Sequence, residues 1–141
     1  MSGPLIRYSP DTSRFPLVIL PAAPAPLSEA DSTALIATLT TLLEDGRPYV
    51  LIAENGPPPL CDAGTRAFTH WFRQERDRLH RLCRGMVMLL PAGPAVAAAE
   101  QQVARMTAAP GWPYPVVVHT TADSARAWAE ARLCAPATAE G

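Results

Sequence analysis

Two kinds of hydrophobic pattern alternate along the chain. Short apolar runs predict strands, and longer segments in which apolar residues return every three or four positions predict amphipathic helices. The predicted strands are Leu5 to Tyr8, Phe15 to Leu20, Tyr49 to Ala53, Met86 to Leu90 and Val116 to Val118. The first two are separated by a turn-like segment, so they form a predicted hairpin.

Four helices are predicted between and after the later strands, each with its own boundary signals. Ser28 is a typical N-cap for the first helix, and Gly46 is a typical C-cap. The second helix is predicted to begin with Asp62 as its cap and to run to about Leu82, and Gly85 leads out of it into the next strand. Pro94 fits the first turn of the third helix. Thr121 or Asp123 caps the last helix.

This alternation of strands and helices predicts right-handed βαβ crossovers and a mostly parallel sheet of four or five strands. Helices pack on that single sheet, and the hairpin supplies an antiparallel edge. The chain of 141 residues suits one α/β domain, which we predict over residues 1–134. The remaining residues, 135–141, are predicted to be a flexible tail.

Composition excludes several kinds of chemistry. All twelve basic residues are arginine, so the lysine of a Walker-type phosphate loop and the lysine of Schiff-base chemistry are both missing. There is also no glycine-rich phosphate-binding motif, and the sequence predicts no cofactor. A net charge of −1 predicts no general attraction to nucleic acid.

The cysteines bear on the compartment. Cys61, Cys83 and Cys134 are odd in number and widely spaced, which indicates a reduced, cytoplasmic protein rather than a disulfide framework. The apolar run that ends at Leu20 is too short for a secretory signal, and no segment reaches the length of a membrane span. We therefore predict no membrane association.

The order of a hairpin, three helix–strand units and a closing helix resembles the STAS domain, the fold of anti-sigma-factor antagonists. The arginine-rich segment from Arg73 to Gly85, together with Ala125 to Ala129, also looks like the small bacterial proteins called SpoIIAA-like. The resemblance extends from Leu5 to Leu133. It implies a non-catalytic regulatory module of the bacterial cytoplasm that docks a partner protein.

STAS antagonists bind their partners through the loop after the central strand and the start of the next helix. The matching stretch here runs from Asn55 to Thr65, so the resemblance implies docking through Asn55 and Asp62. Many members switch by phosphorylation of a serine at that helix start. This stretch has no serine and carries three consecutive prolines, and Thr65 is its only hydroxyl for such a modification.

A thiol site is the sharpest catalytic hypothesis. Cys61 follows the central strand and His119 ends the last one, so both are expected at the carboxyl edge of the sheet, where α/β proteins place ligands. Asp62 or Asp123 would orient the imidazole. The alternative is that Cys61 is a small apolar filler and His119 a surface residue. His70 and His80 lie about 15 Å apart along one helix, so no shared metal site is predicted.

Half of the arginines lie between Asp62 and Arg84. They are Arg66, Arg73, Arg76, Arg78, Arg81 and Arg84, against only three acidic residues. This pattern fits a solvated helix face with Glu75–Arg78 and Asp77–Arg81 pairs, a docking surface for an acidic partner, or a site for a phosphate-bearing ligand or nucleic acid. For docking, we single out Arg66, Arg73 and Arg76. A homodimer that buries helix surfaces is a further alternative.

Two tryptophans are also of interest. Trp71 lies one step off the apolar stripe of the second helix, and we predict that it belongs to the core. Trp112 lies in a proline-rich loop, Pro110 to Pro115, where a rigid aromatic side chain suits either a lid over the fold or an interface anchor.

Overall fold

The computed structural model describes residues 8–134, and four parallel strands form its sheet in the order β1-β2-β3-β4. The elements, in chain order, are β1 (Leu17–Leu20), α1 (Glu29–Asp45), β2 (Tyr49–Glu54), α2 (Asp62–Gln74), α3 (Arg76–Leu82), β3 (Cys83–Leu89), α4 (Ala95–Ala108), β4 (Val116–His119) and α5 (Ala122–Cys134). The predicted α/β class with helices packed on a single sheet is confirmed. None of the helices in the described range combines the length and the apolar character needed to traverse a bilayer.

Alternate residues of β2 serve two separate cores. Tyr49, Leu51 and Ala53 face the side that is covered by α1, α2, α3 and α4. Val50 and Ile52 face the other side, where α5 packs. Because all the strands run in order across the sheet, right-handed crossovers place the connecting helices on one face, and α5, which follows the last strand, covers the other.

Local signals fix the ends of α1 and α5. The Ser28 hydroxyl accepts a hydrogen bond from the Asp31 N–H at 3.1 Å, and Gly46 adopts the left-handed conformation with φ of 79°. At the start of α5, the Thr121 hydroxyl accepts from the Ser124 N–H at 3.1 Å. The predicted caps Ser28 and Gly46 are thus confirmed, and of the two caps considered for α5 the structure selects Thr121.

Three local predictions were wrong. The helix from Asp62 is interrupted at Glu75, where φ is −98° and ψ is 7°, and it continues as α3. Its N-cap is Cys61, whose sulfur accepts from the Gly64 N–H at 3.4 Å, so Asp62 is the first helical residue. The strand β3 begins at Cys83, and Gly85 lies within it beside a shift in register with β2.

The predicted hairpin is reduced to one antiparallel bridge between Asp11 and Ile19. Tyr8 is not in a strand, and apart from that bridge β1 pairs, among the described residues, with β2 as a parallel edge strand. The other residues of the predicted first strand, 5–7, lie outside the described residues, as does the predicted tail, 135–141.

Candidate functional site

An apolar cavity of about 360 Å³ lies between α2 and the sheet face that α1 also covers. Its lining comes from every layer on that side of the molecule: strands β1, β2 and β3, helices α1 to α4, and the loops that follow β2 and α4. Except for the hydroxyl-bearing side chains of Thr65, Tyr49 and Tyr114 and the indoles of Trp71 and Trp112, the lining side chains are hydrocarbon or thioether. None of the lining residues is charged.

The aromatic residues of α2 line the side of the cavity opposite the sheet. Phe68, Trp71 and Phe72 recur at helical spacing and project from the inner face of α2. The Trp71 indole N–H donates to the Thr40 hydroxyl on α1 at 2.9 Å, which fixes the ring between the two helices. Trp71 is 8% exposed, so the prediction that it belongs to the core is confirmed.

A close contact holds the start of α2 against α1. At Gly64, an added Cβ atom would lie 2.2 Å from the Ser32 hydroxyl oxygen, so this position accepts only glycine without displacement of α1 or α2. Ser32 is itself buried, and its hydroxyl donates to the Ser28 carbonyl at 2.8 Å. The first turn of α2 is therefore anchored close to α1, and the aromatic rings of its later turns line the cavity.

The loop between α4 and β4 forms the facing wall. The Phe72 ring lies 5.1 Å from the Trp112 ring and 6.1 Å from the Tyr114 ring, and these last two are 5.3 Å apart. Tilted and edge-on contacts at these distances are favourable for aromatic side chains. Trp112 was expected to be either a lid that covers the fold or an interface anchor. Its contacts with Phe72 and Tyr114 favour the role of a lid.

The proline-rich loop after β2 closes one end. Pro57, Pro58 and Leu60 line the cavity, and Leu60 pairs with Leu27 in an isolated parallel bridge. The Cys61 N–H donates to the Leu27 carbonyl at 3.0 Å, which ties the end of this loop to the segment after β1. The loop that the STAS resemblance assigns to partner docking is thus also a wall of the cavity.

The Trp112 indole nitrogen is buried at this site without a hydrogen-bond partner in the described part of the chain. The Tyr49 hydroxyl is also buried; it has no oxygen or nitrogen partner among the described residues and faces the Cys83 thiol, which is a weak hydrogen-bonding group. Tyr49 is fully buried, and burial raises the pKa of its hydroxyl well above the ordinary value. Cys83 lies beside Tyr49 in the sheet register, and burial raises the pKa of its thiol to about 12.

The structure places Cys61 and His119 beside different helices. The Cys61 sulfur caps α2, as described above, and Cys61 is held next to the segment that follows β1. His119 ends β4, at the other edge of the sheet, and its Nδ1 lies 3.0 Å from the Ser124 hydroxyl in the first turn of α5. The two side chains are therefore not brought together. Within residues 8–134, no three histidine, cysteine or acidic side chains are grouped to hold a metal ion.

The other predicted contact residues lie on the surface. Asn55, Asp62 and Thr65 are exposed, and the Thr65 hydroxyl is 3.4 Å from the Leu60 carbonyl. Asn55 has a positive φ of 60° in the turn that leaves β2. Arg66 and Arg73 lie on the outer face of α2, and Arg76 begins α3.

The ion pairs of the arginine-rich segment form only in part. Arg78 donates to the Glu75 carboxylate at 2.7 Å, as the sequence predicts. The second predicted pair, Asp77 with Arg81, is not formed, and within the described residues Arg66, Arg73 and Arg76 have no ion pair either. The Arg76 guanidinium instead lies over the loop after α4, where a Cβ atom on Gly111 would come within 2.6 Å of it.

Sequence reasoning alone misses the cavity and the role of Tyr49. Tyr49 begins a continuous apolar run, and nothing in that run distinguishes its hydroxyl from the hydrocarbon around it. Comparisons with protein-family models, curated proteins and solved structures found no match for this chain. The candidate site therefore rests on its own geometry.

Proposed function

We propose that this chain is a cytoplasmic binding domain that takes a small, mostly apolar molecule into the cavity beneath α2. The observation that carries this proposal is the cavity itself, a partly open space of about 360 Å³ lined by aromatic and aliphatic side chains. Ligand pockets have volumes of about 300–1,000 Å³ and are lined in the same way, with a few polar groups among apolar ones.

The size of the cavity supports a binding role. Protein interiors pack as densely as organic crystals and contain few voids larger than a water molecule. An apolar cavity of about 150 Å³ is already large enough to bind benzene. The cavity under α2 is more than twice that size, so it can accept a molecule of two fused or linked rings.

Binding of N-phenyl-1-naphthylamine tests this function, because this neutral dye fluoresces when it leaves water. We expect saturable binding to the full chain, and we expect Leu39→Phe to weaken it about tenfold or more, since a ring at this cavity-lining position fills the site. Leu133→Phe is the matched control, because Leu133 packs on the opposite sheet face. Absence of saturable binding, or equal binding by Leu39→Phe and the unaltered chain, would contradict the proposal.

A second function is favoured by the unpaired arginines. We propose that the outer face of α2 docks an acidic partner protein, in the manner that the STAS resemblance implies for the loop from Asn55 to Asp62. Asp62, Arg66 and Arg73 lie within about 40° of one another around the helix axis, at 100° per residue. Exposed guanidinium groups without internal partners are suited to bidentate contact with carboxylates.

A labelled polyglutamate peptide tests this docking function through fluorescence anisotropy. We expect Arg66→Glu with Arg73→Glu to reduce binding about tenfold at low salt, whereas Arg14→Glu with Arg105→Glu removes the same charge from exposed positions elsewhere and leaves binding nearly unchanged. Equal losses in both double variants would show only a net-charge effect and contradict docking by α2. Light scattering of the same samples gives the mass in solution and decides whether the acidic partner competes with a homodimer.

A further inference from the structure

We propose that the ligand of this cavity is a neutral molecule with an aromatic ring system and an acceptor oxygen, which receives a hydrogen bond from the Trp112 indole N–H or the Tyr49 hydroxyl. This inference rests on the proposed small-molecule function and specifies the chemistry of its ligand. It depends on three observations, which concern charge, polar partners and ring geometry.

The lining restricts the charge of the ligand. No arginine, histidine or acidic residue lines the cavity, so a carboxylate or ammonium group inside it would have no opposite charge to pair with. Burial of an unpaired charge is far more costly than burial of a neutral polar group. The cavity therefore selects uncharged molecules.

The buried polar groups define what the ligand must offer. Elsewhere in the same core, comparable groups are satisfied: the Trp71 indole donates to Thr40 at 2.9 Å, and the Tyr8 hydroxyl donates to the Pro21 carbonyl at 2.8 Å. The Trp112 indole nitrogen, on a residue that lines the cavity, has no such partner in the described residues, and the Tyr49 hydroxyl, also on a lining residue, faces the weakly hydrogen-bonding Cys83 thiol there. An indole N–H is a donor only, so its complement is an acceptor atom.

The rings around the cavity favour an aromatic ligand over an alkyl chain. Phe68, Phe72, Trp112 and Tyr114 form a continuous series of contacts with centroids 5.1–6.1 Å apart. Their planes are tilted by 31–74° to one another, so both faces and edges are turned toward neighbouring rings. A planar ligand ring continues the same offset and edge-on arrangement, which adds to the energy of burial.

Three naphthalene derivatives that share one ring system separate these features. In competition with N-phenyl-1-naphthylamine, we expect 2-acetylnaphthalene to bind about fivefold more tightly than 2-isopropylnaphthalene, which has nearly the same shape but no acceptor. We expect 2-naphthoate, which is an anion near neutral pH, to bind more weakly than either. The double variant Tyr49→Phe with Trp112→Phe keeps an aromatic ring at both positions but loses both donors, and the preference for the acetyl compound over the isopropyl compound should fall to about one.

The outcomes distinguish this inference from the function on which it rests. If the naphthalenes compete but the acetyl compound has no advantage, or keeps its advantage in the double variant, the acceptor assignment is overturned and the cavity remains a binding site. Tighter binding of the naphthoate would overturn the assignment of a neutral ligand. If neither the dye nor any naphthalene binds, the proposed small-molecule function itself fails.

Discussion

The two faces of the sheet use the same strands but are covered in opposite ways. On one face, Ala125 and Ala129 of α5 are fully buried against Val50, Ile52 and Val87. On the other, leucines and aromatic rings of α1 and α2 meet Tyr49, Leu51 and Met86 and leave the cavity between them. Alternation along each strand supplies both faces with apolar residues, so the difference lies in the helices.

Side-chain size accounts for the contrast. Alanine lets the backbone of α5 approach β2 and β3 closely, and the Trp128 ring then fills the space over Gly85, where a Cβ atom would lie 2.5 Å from it. The rings of α2 lie between that helix and the strands, and they line a space that they do not fill. The face covered by α5 thus contributes close packing, whereas the other face combines stability with a candidate binding site.

The largest expected effect comes from adding volume to the close-packed face. Ala129→Leu should lower the free energy of unfolding by about 2–3 kcal/mol, because overpacking a filled site strains side chains and backbone. Leu39→Phe adds volume beside the cavity and should change the free energy of unfolding by less than about 1 kcal/mol. Urea denaturation measures both, with Ala131→Leu at an exposed position of α5 as the control for helix propensity.

A loss in Ala129→Leu no greater than that in Ala131→Leu would show that α5 does not pack closely on the strands. A large loss in Leu39→Phe would show instead that the cavity side is already filled. Either result would remove the contrast between the two faces.

Buried titratable groups on the cavity side of the sheet make the stability of the protein depend on pH. Burial raises the pKa of Cys83 from its ordinary value near 9 to about 12, so the folded protein retains this proton where the unfolded chain loses it. Stability is therefore full below about pH 9 and falls as the pH rises toward about 12. Between about pH 8 and about pH 10, ionisation of this thiol in the unfolded chain should lower the free energy of unfolding by about 1.4 kcal/mol, which is the free-energy equivalent of one pKa unit.

Urea denaturation of the unaltered chain and of Cys83→Ala at both pH values measures this contribution. Tyr49 and Tyr114 also have raised pKa values through burial on the same face, and they contribute to the alkaline loss in both proteins. The difference between the two pH-dependent losses therefore isolates the thiol. Equal losses would show that Cys83 ionises as freely in the folded protein as in the unfolded chain.

Much of the fold could be predicted because its signals are local. Ser28, Gly46 and Thr121 determine helix ends through their own side chain or backbone conformation, and the short apolar runs correspond to buried parallel strands. The interruption at Glu75 has no such signal, since neither glycine nor proline lies there. The prediction for Gly85 was wrong because a glycine that follows a helical pattern is typical of a C-cap, whereas here Gly85 lies within β3 and provides room for the Trp128 ring.

The candidate site could not be predicted because it depends on distances between elements. Periodicity places Phe68, Trp71 and Phe72 on the inner face of α2, but it does not say how far that face stands from the strands. The contact of Gly64 with Ser32 and the position of Trp112 beside Phe72 exist only after the helices pack. Cys61 and His119 show the same limit. Both were expected at the carboxyl edge of the sheet, but the structure places their side chains beside different helices.

The smallest effect that we predict concerns a single buried hydroxyl. Tyr49→Phe removes a buried hydroxyl that faces only the weakly hydrogen-bonding Cys83 thiol among the described residues, so it should raise the free energy of unfolding by up to about 1 kcal/mol. Tyr8→Phe is the matched change, because its hydroxyl donates to the Pro21 carbonyl at 2.8 Å, and it should lower the same quantity by about 1 kcal/mol. Denaturation curves without added ligand would show opposite shifts of the midpoint. If Tyr49→Phe is as destabilising as Tyr8→Phe, the Tyr49 hydroxyl is already satisfied in the folded protein, and it is not available as a donor to a molecule in the cavity.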